Sequence, residues 1–252
     1  MSAKSDKYEA DVAKYINSMP GIQASRPSVS TGFSDIVISK FDNRKVSVPG
    51  SSMGAWLEVK MSHTDNLSNP RAFYKGGKWQ TTYKTPVAHT MVEELNKSPV
   101  TKKFHRELAK FSGIPLKSLI IPTSKTMLKE PGAVPLHIMK QFVDQPGRNR
   151  YILSNENTNL GKVVTEHYVK GKEQPAYYMQ AGDDFYRISN KNPLKLKGIP
   201  LLVGNGDFRV RIGTRREFYE VQAEIKIKKM PTSKFSLQPG SNKLNPLLKA
   251  NR

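Results

Sequence analysis

Apolar side chains at Tyr8, Val12, Tyr15, Ile16 and Met19 recur at helical spacing and predict a first helix over Lys7 to Met19. Asp6, with Glu9 three residues on, reads as a variant capping box at its start, and Pro20-Gly21 ends it. The period then shortens. Ser34-Asp35-Ile36-Val37-Ile38-Ser39 reads as a strand behind a turn at Gly32, and Val46-Ser47-Val48 as a shorter one behind a turn at Asn43-Arg44-Lys45. A second clear strand is expected over Ala55 to Met61. A loop from Ser62 to Arg71 follows, and Lys75-Gly76-Gly77-Lys78 reads as a hairpin turn near Trp79.

Helical patterns return over Pro86 to Asn96 and over Val100 to Phe111, where Phe104, Leu108 and Phe111 make an apolar face. Ser118 to Pro122 suits a short buried strand. The order so far is helix, several strands, helix, strand. Beyond it, Val134 to Phe142 and Leu160 to Val169 read as helices. Tyr177 to Gln180, Phe185 to Ile188, Phe208 to Ile212 and Phe218 to Lys228 read as strands, with turns at Gly182-Asp183-Asp184 and Gly204-Asn205-Gly206. From Pro231 to Arg252 the chain is rich in Ser, Pro, Asn and Lys without an acid, the composition of a basic tail. There is no internal repeat.

Charge changes the picture more than composition does. The 252 residues carry 41 Lys and Arg against 21 Asp and Glu, a formal charge of +20. Such a surplus seeks polyanions. The absence of cysteine excludes a disulfide framework, a thiolate zinc site and a cysteine nucleophile. No apolar run approaches the ~18 residues of a membrane span. Met1 to Lys7 leads into a charged segment, so no secretory leader is expected. A cytoplasmic protein facing nucleic acid is the resulting expectation, in host cytoplasm if the source is viral.

On the pleat of the Ala55 to Met61 strand, Leu57, Val59 and Met61 share one face, and Trp56, Glu58 and Lys60 the other. Asp35 can project beside Glu58 and Lys60 if the two strands pair. Ile16 sits about 20° and Val12 about 60° from Glu9 around the first helix, so Glu9 borders the stripe that docks on the sheet. Carboxylates that converge in this way repel one another unless a cation is present, and hard oxygen ligands select magnesium or manganese. A metal there can bind a phosphodiester oxygen and its own water, and a neighbouring lysine can position or deprotonate that water.

Glu9, Ser34-Asp35 and Glu58-Val59-Lys60 together resemble the PD-(D/E)xK superfamily of restriction-type endonucleases, exonucleases and junction resolvases. The resemblance spans roughly residues 7 to 124 and implies an α/β fold with an αβββαβ core and a mixed sheet. It also implies hydrolysis of phosphodiester bonds with Mg2+, for which Mn2+ substitutes. By position, Asp35, Glu58 and the Val59 carbonyl are implied metal ligands, Lys60 the water-activating lysine, and Glu9 the helix acid. Ser34 stands where the motif has proline.

The resulting expectation is a DNA endonuclease from a bacterium or a bacterial virus; restriction-type enzymes often dimerise to cut both strands, but nothing in the sequence marks a homodimer interface, so that alternative stays open. The nuclease core would occupy residues 1–130, a β-rich extension 131–230, and the basic tail 231–252. Lys102, Lys103, Arg106 and Lys110 on the second of the paired helices, and Arg209, Arg211, Arg215 and Arg216 late in the chain, are the candidate nucleic-acid contacts. Phe208, Phe218 and Tyr219 interleave the latter group, a mixture suited to phosphate contact with base stacking and equally to a half-buried strand.

Bland readings stand beside these. Glu9 serves equally as a cap partner, Asp35 as a turn residue, and Glu58 with Lys60 as an exposed ion pair. Ala223-Glu224-Ile225-Lys226 repeats the Glu-x-Lys spacing with Asp207 upstream. It is discounted because Asp207 follows a turn composition and Glu224 sits on a lysine-rich strand. His63 reads as a loop residue, Gln80 as a weak substrate contact, and the histidines lack zinc-ligand spacing. A noncatalytic nucleic-acid-binding or packaging protein, and an RNA-cleaving enzyme on the same core, are the competing functions.

Overall fold

The computed structural model describes residues 3–27, 33–148, 150–172, 174–214 and 219–249. The chain divides into two units: Met1–Leu67 with Asn159–Gly206 and Lys226–Arg252, and Ser68–Thr158 with Asp207–Ile225.

The first unit is built on a mixed sheet. Helix α1 (Ala3–Asn17) precedes β1 (Gln23–Ser25), β2 (Ile36–Phe41), β3 (Arg44–Lys45) and β4 (Ala55–Lys60). After the excursion into the second unit come α6 (Leu160–Val164), continuous with π-helical turns over Thr165–Lys170, then β8 (Ala176–Ala181) and β9 (Asp184–Arg187). Strand order is β1-β2-β4-β8-β9, with β3 paired to β2. β2 runs antiparallel to β4, with Ile36 opposite Leu57, whereas β4 and β8 are parallel. A parallel pair needs a crossover, and here α6 and the π-helical turns supply it, packing back on β8. The first unit thus reads helix, four strands joined antiparallel (the two-residue β3 pairing only with the end of β2), helical crossover, parallel β8 and antiparallel β9.

Val12, Ala13 and Ile16 of α1 bury against Ile36, Ile38, Leu57 and Val59, which fixes one face of the sheet as core. Gly54 enters β4 at φ 137°, where an added Cβ would lie 2.3 Å from the Ile38 carbonyl oxygen, so only glycine lets the strand close on β2.

The second unit is a five-stranded sheet ordered β6-β5-β11-β10-β7. Its strands are β5 (Arg71–Lys75), β6 (Lys78–Gln80), β7 (Tyr151–Asn159), β10 (Asn205–Thr214) and β11 (Tyr219–Ile227). The β5–β6 hairpin turns on Gly76 and Gly77 at φ 61° and 79°, the primed geometry that Gly-Gly favours. Helices α2 (Pro86–Lys97), α3 (Pro99–Ser112), α4 (Lys125–Leu128) and α5 (Leu136–Val143) complete the unit. His105 of α3 stacks on Tyr74 of β5 with ring centroids 3.9 Å apart.

Several expectations are corrected. The first helix begins at Ala3, so Asp6 lies inside it and pairs with Arg26 instead of capping. Val46 to Val48 forms only a single bridge, Val48 to Ser51, because Pro49-Gly50 turns the chain back at once. Within Ser118 to Pro122 the residues from Leu119 on are buried as expected and Ser118 is exposed, but the segment contributes isolated bridges rather than a ladder. It also belongs with α2 and α3 to the second unit, so these elements are not the helix and strand that complete the first sheet. Gly204 to Gly206 is no hairpin turn, since β10 starts at Asn205.

The boundaries expected at residues 130 and 230 are not where the chain divides. Residues 231–249 are not a tail either. Phe235, Leu237 and Leu247 are buried in the core of the first unit. Ser233 Oγ donates to the Phe185 carbonyl at 2.7 Å, and the Leu237 N–H donates to Gln180 Oε1 at 2.8 Å. Ala250 to Arg252 lie outside the described residues.

Candidate active site

The register Ile36 opposite Leu57 sets Asp35 across from Glu58. Ile36 and Leu57 face the α1 core, so strand alternation turns Asp35, Glu58 and Lys60 to the other face. That face is covered by the crossover, where Lys60 Nζ lies 5.9 Å from the centroid of Tyr168. Three of the four expected side chains therefore converge.

Glu58 is only 4% exposed. Lys60 Nζ lies 2.6 Å from its Oε1, while Oε2 is buried without a hydrogen-bond partner among the described residues. The Ser34 hydroxyl lies near enough to this carboxylate to help hold its charge by hydrogen bonding, but too far or too poorly aligned for a full hydrogen bond among the described residues. Asp35 Oδ2 accepts the Val59 N–H at 2.7 Å. Meanwhile the Lys60 carbonyl accepts from the Gly182 N–H of the β8–β9 turn at 2.8 Å. The N–H and C=O of one residue point to the same strand edge, and successive residues alternate. Val59 accordingly turns its carbonyl to the β2 edge, beside Asp35.

These groups hold one another in unequal charge states. Burial pushes Asp35 up to about 7, the neighbouring Glu58 carboxylate adds to the rise, and Lys60 with the Val59 N–H opposes it. Burial works against the Glu58 charge as well, but Lys60 and then Lys172 outweigh it and hold this carboxyl below its ordinary range. For Lys60, burial pulls downward and Glu58, followed by Tyr168 and Asp35, lifts it well above the ordinary lysine value. Lys60 is therefore an ammonium at neutral pH and not a free base.

Glu9 is buried but committed elsewhere: its Oε2 pairs with Arg26 at 2.9 Å and its Oε1 accepts from Ser5 Oγ at 3.2 Å. Its charge reaches Asp35 only as the weakest of the named influences.

No protein-family model, curated protein or solved structure matches this chain.

Sequence reasoning missed the crossover residues. Lys172 Nζ donates to the Phe33 carbonyl at 3.1 Å and lies 5.7 Å from the Tyr168 centroid. His167 stacks edge-on against Tyr168, with centroids 4.6 Å apart. Burial, then the Lys172 charge, pushes His167 down to about 4, and its Nδ1 is buried without a partner among the described residues. Their one sequence signal is a helical pattern with a polar edge, which does not say what it faces.

The donor set suits a hard cation. Among the described residues there is no group of three or more His, Asp or Glu side chains poised around one point. Two carboxylates and a backbone carbonyl nevertheless meet here, one carboxylate oxygen is buried and unmatched, and Mg2+ commonly binds through one or two carboxylates while retaining several waters.

The expected nucleic-acid contacts divide. Lys102, Lys103, Arg106 and Lys110 are all exposed on α3, though Lys103 has Glu107 at 3.9 Å. Arg209 is instead held by Asp207 at 2.6 Å and lies 5.2 Å from the Tyr151 ring. Arg211 pairs with Glu224, which is itself buried, so this second Glu-x-Lys is an arginine-matched sheet residue rather than part of an exposed lysine face. Phe208 and Tyr219 are core residues, not stacking platforms. Arg215, Arg216 and Phe218 lie outside the described residues. His63 pairs with Asp184 at 3.0 Å, and Gln80 donates to the Lys75 carbonyl of its own hairpin. Among the described residues no helix is long and apolar enough to cross a membrane.

Proposed function

We propose that this chain is a metal-dependent nuclease, with DNA as the preferred substrate and endonucleolytic cleavage as its mode. The observation that carries the reading is the meeting of Asp35 and Glu58 across β2 and β4, with Lys60 beside them and one Glu58 oxygen buried without a well-formed hydrogen bond among the described residues. The order α1, β1, β2, β4, crossover helix, parallel β8 supports a restriction-endonuclease-like αβββαβ core, reached around the second unit rather than within residues 7 to 124. The net charge of +20 supports a polyanionic substrate.

Asp35, Glu58 and the Val59 carbonyl are the residues that would hold Mg2+ or Mn2+. Such a cation supplies Lewis-acid stabilisation of phosphoryl oxygens. Glu58 keeps its negative charge because Lys60 and Lys172 oppose the cost of its burial. Lys60, held protonated, donates hydrogen bonds to a phosphate oxygen or to the attacking water and stabilises the charge that develops. Asp35 anchors on the Val59 N–H, which fixes the carboxylate against the strand that bears Glu58 and Lys60.

A noncatalytic nucleic-acid-binding protein is the second reading. It is favoured by the ion pairs already closed around Glu58 and Glu9. Incubation of the purified protein with plasmid, single-stranded DNA and RNA, with Mg2+, Mn2+ or a chelator, separates the two. Cleavage of DNA that requires the metal and disappears in Asp35→Asn is expected. Retarded but uncut nucleic acid under every condition contradicts the nuclease reading and supports the second.

A further inference from the structure

We propose that Lys172 is a positioning residue of this site, bracing the chain from Phe33 to Asp35 so that Asp35 and Glu58 share one cation. The inference rests on the nuclease reading above and adds to it a residue from the crossover.

The β2–β4 pairing begins at Ile36 opposite Leu57, so Asp35 stands one residue outside the ladder. On its downstream side it is tied by its own carboxylate to the Val59 N–H. Upstream, among the described residues, Ser34 is buried and acts on Glu58, and Phe33 makes two further contacts. The Phe33 ring packs 5.5 Å from Trp56, and the Phe33 carbonyl accepts from Lys172 Nζ at 3.1 Å. Trp56 is fully buried on the same strand face as Glu58. Lys172 itself follows the π-helical turns and lies against Tyr168, the ring that Lys60 approaches at 5.9 Å. One ammonium thus links the crossover to the segment that delivers Asp35, in a site where a small displacement separates two ligands of one ion.

A charge and a brace make opposite predictions for metal binding, and this allows a clean test. Lys172 is a cation close enough to act on Glu58. Its removal on charge grounds alone would tighten a divalent cation. Its removal as a brace would weaken that cation, because Asp35 is no longer held opposite Glu58. Supporting partners of metal ligands change affinity by about 10–100-fold.

The measurement is direct binding of Mn2+ to the full chain, without nucleic acid, by loss of the free Mn2+ signal in electron paramagnetic resonance. The parent, Lys172→Met, Lys172→Gln and Lys172→Arg are compared, with melting temperatures alongside. Met and Gln are both too short to reach the Phe33 carbonyl, while Arg keeps the reach and the charge. Mn2+ affinity about tenfold weaker in Lys172→Met at an unchanged melting temperature, with Lys172→Arg restoring the parent value, is the expected result. If Lys172→Met melts early, Lys172→Gln carries the same expectation. Affinity equal to or tighter than the parent in a folded Met or Gln variant overturns the role of Lys172 and leaves the nuclease reading intact. A parent that binds no Mn2+ overturns that reading, and the inference with it.

Discussion

Lys60 and Glu58 show why single substitutions here carry two effects. Truncating either partner of a buried pair leaves the other charge unmatched, at about 3–5 kcal/mol. Lys60→Ala is therefore expected to lose cleavage and also to melt well below the parent. The double variant Glu58→Gln/Lys60→Met removes both charges and is expected to regain most of that stability without regaining activity. Calorimetric melting of the three proteins checks this; equal melting points for Lys60→Ala and the parent would contradict it. His105 supplies a pH dependence remote from the site. Burial pushes it down from 6.5 to about 4, so the folded chain holds it neutral while the unfolded chain takes up a proton. Its contribution is complete above pH 6.5 and declines as pH falls toward 4, by about 3 kcal/mol in all. His167 acts with the same sign. Urea unfolding at pH 7 and pH 4.5 is expected to show a smaller loss on acidification in His105→Phe than in the parent.

Individual strands explain what could be read in advance. β4 was legible because Leu57 to Lys60 alternates apolar and charged residues, and the same alternation put Glu58 and Lys60 on one face and Asp35 opposite them. Glu9 also followed from helical spacing as far as its burial, but spacing does not reveal that Arg26 would claim its charge. The π-helical turns of the crossover were legible only as a helix. Nothing local in His167-Tyr168 says that they lie beside Asp35 and Glu58, far earlier in the chain. Arg211 misled because an arginine on a strand looks the same whether it awaits phosphate or neutralises a buried Glu224. Gly54 is a sharper determinant than any motif residue of how β2 and β4 join. Gly54→Ala places a methyl group 2.3 Å from the Ile38 carbonyl oxygen at a positive φ, so several degrees of melting temperature should be lost. Circular dichroism melts would test this, and an unchanged melting point would mean that the two strands do not approach as described.

Across the whole chain, what sequence reading lost was connectivity. The second unit interrupts the first between β4 and its parallel neighbour β8, so contiguous elements from Pro86 to Pro122 looked like the completion of a sheet they do not join. Low apolar content likewise disguised residues 231–249, where Phe235, Leu237 and Leu247 go into the core while Leu244 and Leu248 stay exposed. Deletion from Pro231 onward should therefore abolish cooperative folding of the first unit instead of merely lowering salt-sensitive affinity. Leu237→Ala alone should cost about 2–5 kcal/mol. A truncated protein that melts like the parent would restore the tail reading. The central claim, that Asp35 and Glu58 jointly hold one hard cation, is tested most directly by calorimetric titration of Mn2+ into the parent, Asp35→Asn and Glu58→Gln. A saturable site in the parent that weakens by at least about tenfold in each variant is the predicted result. Binding that survives both substitutions, or none in the parent, would contradict it.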